Sequence, residues 1–245
     1  MGEFPRPIRL PGQPEPARES PEGHGDRLPD VVDEDVDLYG AEDAAARLVH
    51  RLEQVAPGAA RHAGDGRPLL CPPPSPSRDR IEGPPSGLAM LVVFGAHGTP
   101  SSRSLGRVLD HVRQRHPATV TVAWRHYPDP IAHPRAGVLA LAVEAAAARG
   151  RFWSLTRELL ALRHHDPADL HGAVVRAGLD PATTLDAMRA GTGIDRIADD
   201  VASAMASGVT FSPALFIDSQ RYRGDVEPGP VLDALDAVLR RSPRP

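Results

Sequence analysis

Aromatic residues are confined almost entirely to the part of this chain that follows residue 93. Of the ten Phe, Trp and Tyr residues, only Phe4 and Tyr39 come earlier, whereas 15 of the 27 prolines precede Leu88. Aromatic side chains dominate hydrophobic cores, and proline interrupts both helices and sheets. The sequence therefore predicts one packed domain in the C-terminal part of the chain, with a long appendage before it.

Two segments of the appendage offer little to a packed core. Residues 1–40 are rich in proline and acidic side chains, and few apolar groups are present to offset the conformational entropy lost on ordering. We expect this tail to be disordered. Residues 57–87 are again rich in proline, which fixes φ and removes backbone donors, so they predict a semi-stiff linker.

One amphipathic helix is predicted between these segments, over residues 41–56. Ala45, Leu48, Leu52 and Val55 recur at helical spacing, and acidic residues occupy the first turn, where they suit the helix dipole. The sequence leaves open whether the apolar face docks on the C-terminal domain or on a partner.

From residue 88 to 241 the pattern is that of an α/β domain. The run AMLVVFG over 89–95 predicts a buried strand, a helix follows, and the alternating, β-branched run from Thr119 predicts a second strand parallel to the first. Residues 135–207 predict a block of short helices punctuated by Gly and Pro. Two strands and an amphipathic helix end the domain, which gives the order βαβ, helical block, ββα.

Composition excludes several kinds of chemistry. The single cysteine, Cys71, permits neither an internal disulfide nor a dithiol cycle, and it lies in the proline-rich linker. All 28 basic residues are Arg, so a catalytic Lys is excluded. No pair of histidines shows the spacing of a metal site, and the acidic stretch over 29–43 lacks the loop pattern of a calcium site. We expect no metal.

Net charge and hydropathy bear on partners and compartment. A net charge of −4 gives no basic field for a phosphate backbone, which argues against nucleic acid. No apolar run approaches the roughly 18 residues that a membrane span needs. The opening residues, MGEFPRPIRL, lack the apolar stretch of a secretory signal, so the cytoplasm is the expected location.

Two motifs carry a resemblance to a known family. The run LVVFGAHGTPSS over 91–102 and the run GVTFSPALFID from Gly208 resemble the active-site turn and the cis-proline loop of the DsbA-like thioredoxin-fold family. The segment RDRIEGP over 78–84 is similar to the lead-in of DsbA-like domains fused to bacterial sodium/proton antiporters of the NhaA type. The resemblance implies a thioredoxin fold with a DsbA-like helical insertion.

The same resemblance locates the family's functional positions. Its Cys-Pro-x-Cys motif falls on Thr99, Pro100, Ser101 and Ser102. Its cis-proline falls on Pro213, preceded by Ser212. A hydroxyl has too high a pKa for a helix dipole to yield an alkoxide near neutral pH, so dithiol oxidoreductase activity is expected to be absent. Thr99 and Pro100 also suit the N-cap and first positions of a helix.

We therefore expect a redox-inactive binding or regulatory module without a cofactor. Its groove would be lined by His97, Thr99, Ser212 and Pro213, and would take an extended peptide or a partner protein. The alternative is an enzyme resembling the kappa-class transferases and isomerases, which would use Thr99 or Ser102 to hold the thiolate of glutathione or another small thiol. The sequence leaves the oligomeric state open.

Overall fold

A computed structural model of the chain describes residues 36–55 and 69–241. Most of the predicted tail and the first part of the predicted linker therefore lie outside the described residues. The elements are, in chain order, α1 (Glu42–Glu53), β1 (Arg80–Glu82), β2 (Ala89–Gly95), α2 (Ser102–Arg115), β3 (Val120–His126), α3 (Pro134–Ala147), α4 (Phe152–Ala161), α5 (Pro167–Arg176), α6 (Pro181–Arg189), α7 (Ile194–Ala206), β4 (Ala214–Ile217), β5 (Gln220–Arg221) and α8 (Pro228–Leu239).

A five-stranded sheet forms the centre of the domain, in the order β1-β3-β2-β4-β5. Strands β2 and β3 are parallel and every other neighbouring pair is antiparallel. The apolar run of β2 is buried along nearly all its length because helices cover the sheet. The predicted order βαβ, helical block, ββα is confirmed.

The helical block consists of α3 to α7 and agrees with the predicted insertion to within one residue at each end. Helix α3 is its centre: residues 136–146 are all buried, and the helix packs against α4, α6 and α1. Small alanine side chains on every face let three helices approach the same segment. Among the described helices, none combines the length and the apolar character needed to cross a bilayer.

Helix α1 docks on the domain, which resolves the question that the sequence left open. Leu48 and Ala44 are buried, and the helix packs against α3 and α7. Leu38 is fully buried as well, so residues assigned to the disordered tail already belong to the core. The tail boundary at residue 40 was wrong because an apolar residue among acidic neighbours gives no periodic signal.

The predicted linker also extends too far. Strand β1 lies inside it and pairs with β3, Arg80 being opposite Trp124. Leu70 is buried too, and its amide donates to the carbonyl of Ser219. A three-residue strand among prolines cannot be recognised from local pattern, because only its pairing partner defines it.

Truncation of Leu48 tests the docking of α1. Leu48→Ala should lower the free energy of unfolding by about 2–5 kcal/mol, because a buried side chain is replaced by a cavity. Urea denaturation measures the effect, with His50→Ala on the exposed face as the control, expected to change it by less than about 0.5 kcal/mol. Equal effects of the two substitutions would show that α1 is not packed on the domain.

Candidate functional site

The turn between β2 and α2 is organised around the hydroxyl of Ser102. This hydroxyl donates to the carbonyl of Ala96 (3.0 Å) and accepts from the amide of Thr99 (2.9 Å). With its one proton engaged, it can only accept from the Thr99 hydroxyl, 3.0 Å away. Ser102 is buried, so its hydroxyl is a structural element of the turn.

Helix α2 therefore starts later than the sequence predicted. Its first residue is Ser102 and its N-cap position is Ser101, whose side chain makes no capping hydrogen bond. The interpretation of Thr99 as the N-cap is wrong, because the Thr99 hydroxyl is turned toward the hydroxyls of Ser101 and Ser102. Pro100 consequently lies in the turn and not in the first helical position.

A cleft of about 570 Å³ opens beside this turn. Helix α1 supplies one wall, the turn a second, the segment after β3 a third, and the loop before β4 a fourth. The lining residues are Val49, Leu52, Glu53, Ala96, Thr99, Pro100, Ser101, Tyr127, Pro128, Asp129, Pro130, Ile131, His133, Val201, Thr210, Phe211 and Ser212. The cleft thus brings Thr99 and Ser212 together, as predicted from the motifs.

Two large apolar side chains project at the rim of this cleft. Ile131 is 89 % exposed and Phe211 is 63 % exposed, the two highest values for large apolar residues in the described part of the chain. Sequence reasoning missed both. In the sequence, Phe211 could have been found from its place directly before Ser212. Ile131 lies in a proline-rich loop, where no periodic pattern marks it. Exposed apolar groups around a cleft make this surface a candidate interaction site.

His97 and Pro213 do not line the cleft, contrary to the sequence prediction. The imidazole of His97 is buried and stacks on Trp124, with 4.8 Å between ring centroids. Neither ring nitrogen has a hydrogen-bond partner among the described residues. Burial holds the pKa of His97 well below its usual value of 6.5, with smaller contributions from His126 and His165. Pro213, which follows a cis peptide bond, borders a different pocket.

A buried ionic network lies at the end of β3. Glu144 of α3 accepts hydrogen bonds from His126, at 3.0 Å, and from Arg80. Burial opposes ionisation of Glu144, but the hydrogen bonds from His126 and Arg80, together with the Coulombic attraction of both groups, outweigh it and lower the pKa to about 2. Burial raises the pKa of Asp200, which accepts from the His126 amide, to about 6. These groups are paired with one another, which fits a structural role.

The single thiol lies outside the cleft lining. The Cys71 amide donates to the hydroxyl of Ser207 (2.9 Å), and its carbonyl accepts from the hydroxyl of Ser203 (2.7 Å). The backbone of Cys71 is thus held against α7 and the residue that follows it. Within the described residues, no three or more His, Cys, Asp or Glu side chains form a group able to hold a metal ion.

Comparison with known proteins gives relatives by sequence and by structure. No family model matches the chain. Over 173 residues it is 34 % identical to "Na(+)/H(+) antiporter NhaA 1" of Mycolicibacterium gilvum, a match that covers 69 % of this chain but only 28 % of that protein. A thioredoxin-like oxidoreductase from Silicibacter pomeroyi superposes with a TM-score of 0.56 at 21 % identity, covering 68 % of this chain and 94 % of the other. Alpha-DsbA1 of Wolbachia pipientis superposes with a TM-score of 0.58 at 14 % identity, covering 69 % and 94 %.

Removing the Ser102 hydroxyl tests its role in the turn. Ser102→Ala leaves the buried carbonyl of Ala96 and the amide of Thr99 without this partner, so we expect a loss of about 1–3 kcal/mol in the free energy of unfolding. Ser101→Ala is the matched control and should cost less than about 0.5 kcal/mol. Urea denaturation compares them, and an equal, small effect would contradict the assigned role.

The buried His97 predicts a loss of stability in acid. Its folded-state pKa is lowered, so below pH 6.5 the unfolded chain binds a proton that the folded chain does not, and stability falls as pH decreases from 6.5. The slope is at most about 1.4 kcal/mol per pH unit for one proton. His97→Phe should lose this contribution while keeping a ring beside Trp124.

Unfolding free energies of both proteins between pH 7.5 and 5 provide the measurement. Because the pKa of Asp200 is raised in the folded state, this group makes stability rise as pH decreases, which is opposite to the effect of His97. Asp200 is present in both proteins, so the difference between their unfolding free energies isolates the contribution of His97. A constant difference across the range would show that His97 does not couple folding to pH.

Proposed function

We propose that this chain, which has a DsbA-like thioredoxin fold, is a redox-inactive module that binds an extended segment of a partner protein in the cleft beside Thr99. The observation that carries the proposal is the cleft itself: it sits at the family's active-site turn, contains no thiol, and presents Ile131 and Phe211 at its rim. A cleft without a thiol can still bind a peptide, but it cannot carry out thiol–disulfide exchange.

The loss of redox chemistry follows from oxygen in place of sulfur. Disulfide exchange needs a thiolate to attack and a second thiol to resolve the mixed disulfide. Thr99 and Ser102 provide neither, and the Ser102 proton is committed to the Ala96 carbonyl. Cys71 is held against α7 by Ser203 and Ser207, and it has no second cysteine to pair with.

Binding of an extended segment does not require a thiol. Main-chain pairing with an exposed loop, together with pockets for alternate side chains, is a general mode of peptide binding. Ser212 borders the cleft just before β4, and its hydroxyl makes no hydrogen bond within the described part of the chain. The apolar groups of Leu52, Ile131 and Phe211 would accept side chains of the bound segment.

In the alternative function, which is binding of a small thiol, only the Thr99 hydroxyl could hold the thiolate. Ser102 is buried and its hydroxyl is fully used within the turn, whereas Thr99 lines the cleft. A cofactor thiolate would therefore have to replace the hydrogen bond that Thr99 makes with Ser102. This gives the alternative a specific test, which is binding of reduced glutathione that Thr99→Val abolishes.

The sequence relatives suggest which partner to test first. The matching segment makes up 28 % of a protein named as a sodium/proton antiporter, so we include a transporter of that class among the partners of this module. We further propose that the module works in the cytoplasm, because a domain without a cysteine pair has no need of an oxidising compartment.

A peptide-binding measurement tests the proposal. An array of extended synthetic peptides selects ligands for the wild-type chain, and Ile131→Asp with Phe211→Asp should weaken their binding by about tenfold or more, because charge replaces apolar anchors. Val175→Asp, an exposed apolar position on α5 outside the cleft, is the matched control.

Two outcomes would overturn it. Unchanged peptide affinity in the double variant would show that the cleft is not the binding surface. Insulin-reducing turnover that persists in Cys71→Ser would show that the chain is not redox-inactive. Saturable binding of reduced glutathione that is lost in Thr99→Val would favour the thiol-dependent alternative instead.

A further inference from the structure

A second pocket, of about 330 Å³, borders the loop that precedes β4. We call it the arginine pocket. It shares Thr210 and Phe211 with the cleft, but neither Thr99 nor Ser212 lines it. Its remaining lining residues are Gly208, Pro213, Ala214, Leu215, Arg221, Tyr222, Arg223, Gly224 and Val226.

The charges that line the arginine pocket are all positive. Arg221 and Arg223 contribute two guanidinium groups, and no carboxylate belongs to the lining. Neither arginine forms an ion pair or a side-chain hydrogen bond within the described residues. Other described arginines do have carboxylate partners, among them Arg125 with Asp79, Arg80 with Glu144, and Arg176 with Glu158.

The fold positions the guanidinium group of Arg221 and the backbone of the loop that carries Arg223. Arg221 pairs with Phe216 across β4 and β5, and its guanidinium carbon lies 5.3 Å from the ring centroid of Phe216 and 5.7 Å from that of Phe211. The Tyr222 hydroxyl donates to the carbonyl of Asp225 (3.0 Å), which closes the short loop that carries Arg223. Such preorganisation lowers the entropic cost of binding a ligand.

The arrangement leaves positive charge without a partner. Arg221 is half-buried, and burial together with the nearby Arg223 lowers the pKa of its guanidinium. The stacked rings compensate only in part, since a cation–π contact is worth about 0.5–2 kcal/mol. An anion bound between the two arginines would offset the cost of burying the Arg221 guanidinium and the repulsion between the two positive charges.

From this geometry we infer that the arginine pocket is a binding site for an oxyanion, the carboxylate or phosphate group of a small ligand or of a partner's side chain. The planar fork of a guanidinium matches two oxygens of either group, and charge-assisted hydrogen bonds of this kind are among the stronger ones in proteins. The arginine pocket shares Thr210 and Phe211 with the proposed peptide cleft, but the two arginines that carry this inference do not line the cleft.

Titration of the full chain with acetate and with inorganic phosphate at constant ionic strength tests the inference. Saturable heat in calorimetry is expected for at least one of the two anions, and the tighter one identifies the ligand chemistry as carboxylate or phosphate. Constant ionic strength keeps the screening of surface charge the same throughout the titration.

Arg223→Gln is the main variant because Arg223 is exposed and its loss leaves the core untouched. It should weaken binding by about tenfold, the value of one hydrogen bond to a charged group. Arg221→Lys, which keeps the charge but loses the fork, should also weaken it. Arg240→Gln, at an exposed position after α8, is the matched control and should bind like the wild type.

The inference is overturned if neither anion shows saturable binding to the wild type. It is equally overturned if Arg223→Gln and Arg240→Gln bind alike, which would assign the response to general surface charge. Circular dichroism of each variant confirms that the fold is retained, and peptide binding in the cleft gives a separate readout.

Discussion

The buried ion pair between Arg125 and Asp79 is the interaction on which the rest of the domain depends. Both side chains are fully buried, and the guanidinium donates to both carboxylate oxygens at 2.6 and 3.2 Å, to the Ser203 hydroxyl and to the Pro72 carbonyl. It thereby joins β3, α7 and the chain before β1. A buried charge without its partner would cost several kcal/mol, so the pair favours an arrangement in which these elements meet.

Around this pair, the domain has a DsbA-like thioredoxin fold. Ser102 is the first residue of α2, and its hydroxyl links the Ala96 carbonyl to the Thr99 amide and supports the turn. A cleft lies beside the turn, and α1 forms one of its walls. The superpositions at 14 % and 21 % identity identify the fold alone, because one fold can host unrelated chemistries.

The loop before β4 belongs to both proposed binding surfaces, the cleft and the arginine pocket. Phe211 forms part of the rim of the cleft and also packs against Arg221, while Thr210 lines both the cleft and the arginine pocket. The cleft offers apolar anchors and the arginine pocket offers positive charge. This division of chemistry gives the two proposals different ligands and different variants, so that one can fail without the other.

Local sequence pattern by itself determined the strands β2 and β3, the helical block and the position of the turn, because continuous apolar runs and helical periodicity are local signals. Thr99 and Ser212 were located by the resemblance of two motifs to the DsbA-like family. Only the tertiary structure decided that His97 is buried against Trp124, that Leu38 belongs to the core, and that β1 lies within a proline-rich segment. Each of these depends on a partner distant in sequence, and no local pattern encodes which distant surface a side chain will meet.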